Sequence, residues 1–275
     1  GKKKINFNVK KSITARLAVY LVLMAIIPSI IIGAITTYNT QQSINEEVQD
    51  KISIVVNNLN DNIELFIDQN KNVVSFLATT KTLRSMNQEE ITPFLYDMVQ
   101  QNPQILRMHV ADLEGNVFAV PFAVFTDNYD VRQEPWYKSA MESNENSISD
   151  VRIDDMSGNS IISISHSILS DTGQTIGVIN ADISLVSLTR IVMNMDVGQE
   201  GFPYITDGAG NVIAHKEYKE VKSRGNYSNL GFVQEALKGN KGFDRYKDAL
   251  GTEQFVAYGQ HPTTKWGIFV QQPVH

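Results

Sequence analysis

The residues best equipped for chemistry lie in one short stretch, Tyr129-Asp130-Val131-Arg132-Gln133-Glu134-Pro135-Trp136-Tyr137. Three aromatic rings, charges of both signs and a proline suited to the first turn of a helix fall within nine residues. Trp and Tyr each supply a wall and a hydrogen-bonding tip, and their faces attract a ligand cation. A site for a small polar ligand needs apolar walls with a few fixed charges, and this stretch could supply both. Taken alone, Trp136 and Tyr137 suit a packed core better than a ligand contact.

No catalytic constellation accompanies them. The five histidines, His109, His166, His215, His261 and His275, are scattered without metal-ligand spacing. The sequence has neither a Gly-x-Ser-x-Gly elbow nor a phosphate-binding glycine loop. Glu46-Glu47 and Asp154-Asp155 are adjacent carboxylates, but the second pair stands beside Ser157-Gly158-Asn159, a turn composition. There is no cysteine, which excludes disulfides and thiolate metal sites. The pattern is that of a binding protein, with no enzymatic activity, cofactor or metal expected.

The elements that must position such a site are readable from periodicity. Leu17 to Ile35 is nineteen residues without a charge. At about 1.5 Å per residue it spans roughly 28 Å, close to the apolar thickness of a bilayer. Lys2, Lys3, Lys4, Lys10, Lys11 and Arg16 precede it with no acid among them. The positive-inside rule places these residues in the cytoplasm and everything from Thr36 onward outside. From Asn39 to about Met86 there is no Gly or Pro, and Ile44, Val55, Phe66 and Leu77 recur every eleven residues. That period keeps an apolar stripe on one side of a nearly straight helix, which would reach roughly 70 Å. Such a stripe is longer than one small domain can cover, so a homodimer through this stalk is expected.

Beyond a short helix at 92–101 the pattern changes to period two. Strands are expected at Ile105–Ala111, Val117–Val120, Ile161–Leu169, Thr175–Ile183, Tyr204–Thr206, Val212–His215, Glu253–Gly259 and Trp266–Gln271, and a helix at Ser184–Met195. Asp-x-x-Gly-Asn-Val occurs at Asp112 and again at Asp207, ninety-five residues later. A repeat at that distance signals a duplicated domain, here two antiparallel α+β units beside one long helix. The net charge is −6, and the excess of acid follows the basic start, so nucleic acid is not an expected partner.

The anchor, the duplication, Tyr129-Asp-x-Arg followed by Pro135-Trp-Tyr, and the strand Gly177-Val-Ile-Asn-Ala-Asp182-Ile together resemble the double-Cache sensor family of chemoreceptors and sensor kinases. The resemblance covers roughly Asn39 to His275 and implies two tandem PAS-like α+β (Cache) subdomains. It implies this division: 1–16 cytoplasmic, 17–37 membrane helix, 38–90 stalk helix, 91–190 membrane-distal ligand-binding subdomain, 191–275 membrane-proximal subdomain. It further implies that an amino acid sits in the distal subdomain, its carboxylate near Trp136 and Tyr137, its ammonium near Tyr129 and Asp182. Two positions depart from the family pattern. Glu134 stands where an Arg is expected, and Arg152 where a Tyr is expected. Arg152 could take over the carboxylate with Glu134 paired to it. Alternatively Glu134, Asp154 and Asp182 could form an anionic cage for an amine, or Glu134 and Arg152 could pair structurally while the site binds something else. The amino-acid reading requires Arg152 withdrawn from water and Asp182 within one small ligand of Trp136. The proximal half lacks a Pro-Trp-Tyr, so no comparable site is expected there. The function implied is ligand sensing at a membrane for a chemotaxis transducer. A sensor kinase or cyclase could carry the same module, and a tethered adhesion module without a ligand is the rival.

Overall fold

The computed structural model describes residues 13–122, 129–143, 145–198 and 200–274. Residues 1–12, with the lysines of the basic start, and the side chains of Arg16 and Ile44 lie outside the described set. Helix α1 runs unbroken from Ile13 to Ala78, with Pro28 inside it. Its Val19–Thr40 segment, of mean hydropathy 2.4, is long and apolar enough to cross a membrane, and none of its apolar window is buried in the protein. The chain divides into the units Gly1–Asp50 and Lys51–His275.

Helix α1 ends at Ala78, short of the expected Met86. The Thr79 and Thr80 hydroxyls bond back to the carbonyls of Phe76 and Leu77. Thr80 then caps a new short helix, α2 (Lys81–Arg84), by accepting from the Leu83 amide. Hydroxyls that offer the backbone such local partners favour helix ends over interiors. Helix α3 (Gln88–Gln101) starts earlier than 92, because Asn87 caps it and Glu89 and Glu90 favour its first turn.

Strands β1 (Ile105–Asp112) and β2 (Val117–Val120) form a hairpin. After the 3-10 turn Val131–Gln133 come helix α4 (Pro135–Glu142) and the short strands β3 (Ser147–Ile148) and β4 (Arg152–Ile153). Strands β5 (Ser160–Leu169) and β6 (Thr175–Ser184) complete an antiparallel sheet of order β2-β1-β6-β5-β3, with β4 also on β5. Helix α5 (Val186–Met193) leads to the second subdomain: β7 (Phe202–Thr206), β8 (Val212–His215), α6 (Tyr218–Lys222), α7 (Gly231–Leu237), β9 (Gly242–Lys247), β10 (Glu253–Gln260) and β11 (Gly267–Pro273). Its sheet has the order β8-β7-β11-β10-β9. Helix α5 starts later than Ser184 because β6 extends to that residue, and it ends at Met193, with Asn194 as its C-cap, short of the expected Met195.

The repeated turns match bond for bond. Asn116 donates its amide to Asp112 Oδ1 at 2.8 Å and its side chain to Oδ2 at 2.6 Å. Asn211 does the same to Asp207 at 2.9 and 2.8 Å. Each lies between paired strands, and each places its glycine, Gly115 or Gly210, at positive φ. The duplication is therefore structural.

The main core lines α1 along both sheets. Leu59, Ile63, Ile67, Val74 and Leu77 join Met108, Val110, Ile162, Ile164, Ile179 and Ile183 of the first sheet and Ile205, Ala214 and Ile268 of the second. Val55, Phe66 and Leu77 of the eleven-residue stripe are buried. These three members of the stripe are thus covered by the chain itself, Phe66 and Leu77 within the core shared with the sheets. A different row, Ile54, Leu65 and Phe76, repeats at the same spacing and is 59, 56 and 66% exposed.

Candidate functional site

With Met108, Val110, Ile162, Ile164, Ile179 and Ile183 turned to the core, period-two geometry sends their neighbours to the opposite face. Arg107 and His109 on β1, Ser163 and Ser165 on β5, and Asn180 and Asp182 on β6 share that face. The ladder sets Arg107 and Ser163 on either side of Asp182, and His109 and Ser165 on either side of Asn180. Helix α4 packs over one end of this face, where Tyr137 joins Ala111, Val131, Ala140 and Val178, with Trp136 and Tyr129 at the border.

Asp182, 1% exposed, is the hub. Its Oδ1 accepts from Ser163 Oγ at 2.7 Å, Arg152 Nη2 at 2.8 Å and Asn180 Nδ2 at 3.1 Å. Its Oδ2 lies 3.4 Å from Arg107 Nη1. Arg107 also reaches Asp154 Oδ1 at 3.4 Å. Asp154 is buried and accepts from the Ser157 amide at 2.8 Å. Burial works to raise the Asp154 pKa, but the Ser157 hydrogen bonds and Arg107 outweigh it and hold it below the ordinary carboxylate value. Two carboxylates and two guanidiniums thus form one alternating chain. A buried charge left unpaired would be strongly unfavourable, which explains why each carboxylate has a cation beside it.

The aromatic side of the site is continuous with this chain. Trp136 stacks on His109 with ring centroids 5.9 Å apart, and Asn180 Nδ2 lies 3.4 Å from His109 Nδ1. Ser165 Oγ donates to the Trp136 carbonyl at 2.9 Å and fixes the start of α4 to β5. Burial, with Glu134 and Asp182 reinforcing it, pushes the Tyr129 phenol up to about 12, so it stays protonated and able to donate.

The residues singled out from the sequence are placed unequally. Arg152, Asp154 and Asp182 belong to the charge chain, and Trp136 and Tyr129 border it. Tyr137 is core: it is 5% exposed and its phenol donates to the Asp112 carbonyl at 3.1 Å. Glu134 is half-buried at the N-cap of α4 without a side-chain capping bond. Among the described residues no ion pair joins it to Arg152, so the expected Glu134–Arg152 pair is replaced by Arg152–Asp182. Arg152 is 46% exposed, so it is not withdrawn from water as the amino-acid reading required. Arg107, His109, Ser163 and Asn180 were missed. Their signal was present as polar residues at alternate positions of otherwise apolar strands.

Two antiparallel α+β subdomains strung along one long helix define the double-Cache class of sensor protein. The Cache domain family matches residues 37–275, and the chain belongs to it. Among curated proteins it is 26% identical over 213 residues to the methyl-accepting chemotaxis protein McpC of Bacillus subtilis, covering 74% of this chain and 32% of the relative. It is 23% identical over 189 residues to PctB of Pseudomonas aeruginosa, covering 68% of this chain and 30% of the relative. The chain thus spans about a third of the length of these relatives. Its fold matches the ligand-binding domain of the Pseudomonas fluorescens chemoreceptor CtaA, solved with L-isoleucine, at a TM-score of 0.66 and 19% identity, over 85% of this chain and 95% of that one. It also matches the Pseudomonas aeruginosa amino acid chemoreceptor PctC, solved with GABA, at 0.63 and 19%, over 80% and 97%.

Proposed function

We propose that the chain is the extracytoplasmic sensor part of a membrane chemoreceptor and that it binds an amino acid on the polar face of its first, membrane-distal subdomain. The observation that carries this reading is Asp182, buried between two guanidiniums beside the Trp136–His109 stack. A zwitterion needs an anion with π-faces at one end and a cation at the other, and both stand here within one network. Arg152 is half exposed and so fails the expectation that it be withdrawn from water; the proposal instead sets the carboxylate end of the site at its open edge, where the guanidinium can be reached. The ligand ammonium would take over hydrogen bonds that the arginines make to Asp182, which frees Arg152 for the carboxylate. An amine without a carboxylate fits less well, because Asp154 and Asp182 are already neutralised by Arg107 and Arg152.

The Val19–Thr40 segment is the proposed membrane span, with the basic start in the cytoplasm. The proposed dimer contact is the exposed row Ile54, Leu65 and Phe76. Chemotaxis output is proposed from the relatives' names.

The test is a thermal-shift screen with amino acids, amines and organic acids, followed by titration of variants. A ligand a hundredfold above its Kd stabilises the fold by about 2.7 kcal/mol. Arg152→Ala and Asp182→Ala should each weaken amino-acid binding by about 2 kcal/mol or more. Retained binding in Arg152→Ala, with loss in Glu134→Ala and Asp182→Ala, would make the ligand an amine. Full binding in all three would remove the site from this face.

A further inference from the structure

The second sheet has a counterpart of the same face, with different chemistry. The matched turns fix a residue-by-residue correspondence: with Asp207 standing for Asp112, Tyr204 takes the place of His109 and Phe202 that of Arg107. The ladders carry it one strand further. Arg107 lies opposite Asp182 and Phe202 opposite Gln271, while His109 lies opposite Asn180 and Tyr204 opposite Phe269. Helix α7 packs on this face as α4 does on the first, and Phe232 and Trp136 are each the second residue of their helix.

At this equivalent position lies a cavity of about 560 Å³, whose lining includes Phe202, Tyr204, Tyr227, Tyr246, Gln271 and Glu220. The sequence points to no comparable site here because no second Pro-Trp-Tyr marks it. The aromatic rings come instead from β7, β9 and the segment before α7. Tyr204 and Tyr227 meet edge to face at 5.6 Å, and Phe202 leans on Tyr204 at 6.2 Å. Tyr227 donates its phenol to Glu220 Oε2 at 3.2 Å, which holds that carboxylate beside the rings. Tyr246 donates to Gln271 Oε1 at 2.7 Å.

The exchanges decide the ligand class. Arg107 has become Phe202 and Asp182 has become Gln271, so the charged pair at the floor of the first site is replaced by an aromatic ring and a neutral amide. His215, also in the lining, is kept below its ordinary pKa mainly by burial and adds no cation at neutral pH. Asp248 is occupied by the turn it closes, accepting from the amides of Leu250 and Thr252 and from Gln254. Glu217, Lys219 and Lys247 are exposed, and so is Lys216, whose Nζ lies 3.8 Å from the centroid of the Phe202 ring and already covers one face of that wall. Aromatic faces around a fixed carboxylate attract an organic cation.

We propose that the second subdomain carries its own ligand site, which takes an organic ammonium ion lacking a carboxylate, walled by Phe202, Tyr204, Tyr227 and Tyr246 and anchored on Glu220. Isothermal titration of the full chain in lipid nanodiscs tests this, with choline and phenethylammonium as probes. Their uncharged counterparts, dimethylbutanol and phenethyl alcohol, serve as controls. At least one ammonium probe should bind at millimolar concentration or better, and its uncharged counterpart at least about tenfold more weakly. Glu220→Gln, which keeps shape and removes charge, should lower the affinity about tenfold, whereas Asp182→Asn in the first site should leave it unchanged. Failure of both probes, equal binding of the uncharged pair, or loss in Asp182→Asn with retention in Glu220→Gln would overturn the proposal. None of these outcomes depends on whether the first subdomain binds an amino acid.

Discussion

His109 sits against the indole of Trp136 and close to the charge chain of the first subdomain. Burial, above all, lowers its pKa from 6.5 to about 4; Asp182 pulls it upward, while Arg107 and Arg152 push it down. The unfolded chain therefore binds a proton below pH 6.5 that the folded protein refuses until about 4. Stability from this group is full above that window and falls as pH drops through it, by about 1.4 kcal/mol per unit and about 3 kcal/mol at most. Urea midpoints measured near neutrality and near pH 5 should differ more for the native chain than for His109→Gln. Equal differences would show that another group governs the acid sensitivity. Asp182, Trp136 and Arg152 were legible in the sequence as candidates, but their partners were not. Arg107 and His109 meet Asp182 and Asn180 through a pairing of β1 with β6, which no local pattern encodes.

The repeated turns were legible at the scale of elements because their chemistry is local: an Asp that caps, a Gly at positive φ, an Asn that returns the bond. They also give a graded prediction. A Cβ on Gly115 would meet the Arg132 side chain at 3.3 Å, which can move. On Gly210 it would lie 2.9 Å from Ser228 Cβ and 3.0 Å from the Ser228 amide nitrogen, which cannot move as easily. Gly115→Ala should destabilise by about 1 kcal/mol and Gly210→Ala by about 2–3 kcal/mol, from backbone strain in both and crowding in the second. Chemical denaturation giving equal losses would refute the crowding argument. Strand β9 was missed because it is a sheet edge, largely exposed along Gly242–Lys247, with no alternation to reveal it. The end of α1 was misplaced because a pair of threonines stops a helix without a Gly or Pro.

At the scale of the whole molecule, the eleven-residue rhythm of α1 was legible in the sequence, and its described members are covered by the chain itself. Val55, Phe66 and Leu77 are buried within the chain, and the exposed row Ile54, Leu65 and Phe76 is the one proposed for a second copy. Leu65→Lys should weaken self-association of the full chain in detergent at least about tenfold, through charge placed in an apolar contact. Analytical ultracentrifugation showing the same dimer fraction in both would place the contact elsewhere. The affected stripe faces away from the core, so the variant should keep its thermal midpoint.

The core that α1 shares with both sheets has a further consequence. Leu59, Ile63, Ile67 and Leu77 lie in one apolar cluster with Ile179 of the first subdomain and Ile205 and Ile268 of the second. Close-packed interiors transmit strain, so a ligand that shifts either sheet loads the same helix. Two ligands acting on one such element are heterotropic effectors of each other, and their coupling is symmetric by thermodynamic necessity. For the two proposed sites, the factor by which an amino acid alters the affinity for an ammonium ion must equal the factor by which the ammonium ion alters the affinity for the amino acid.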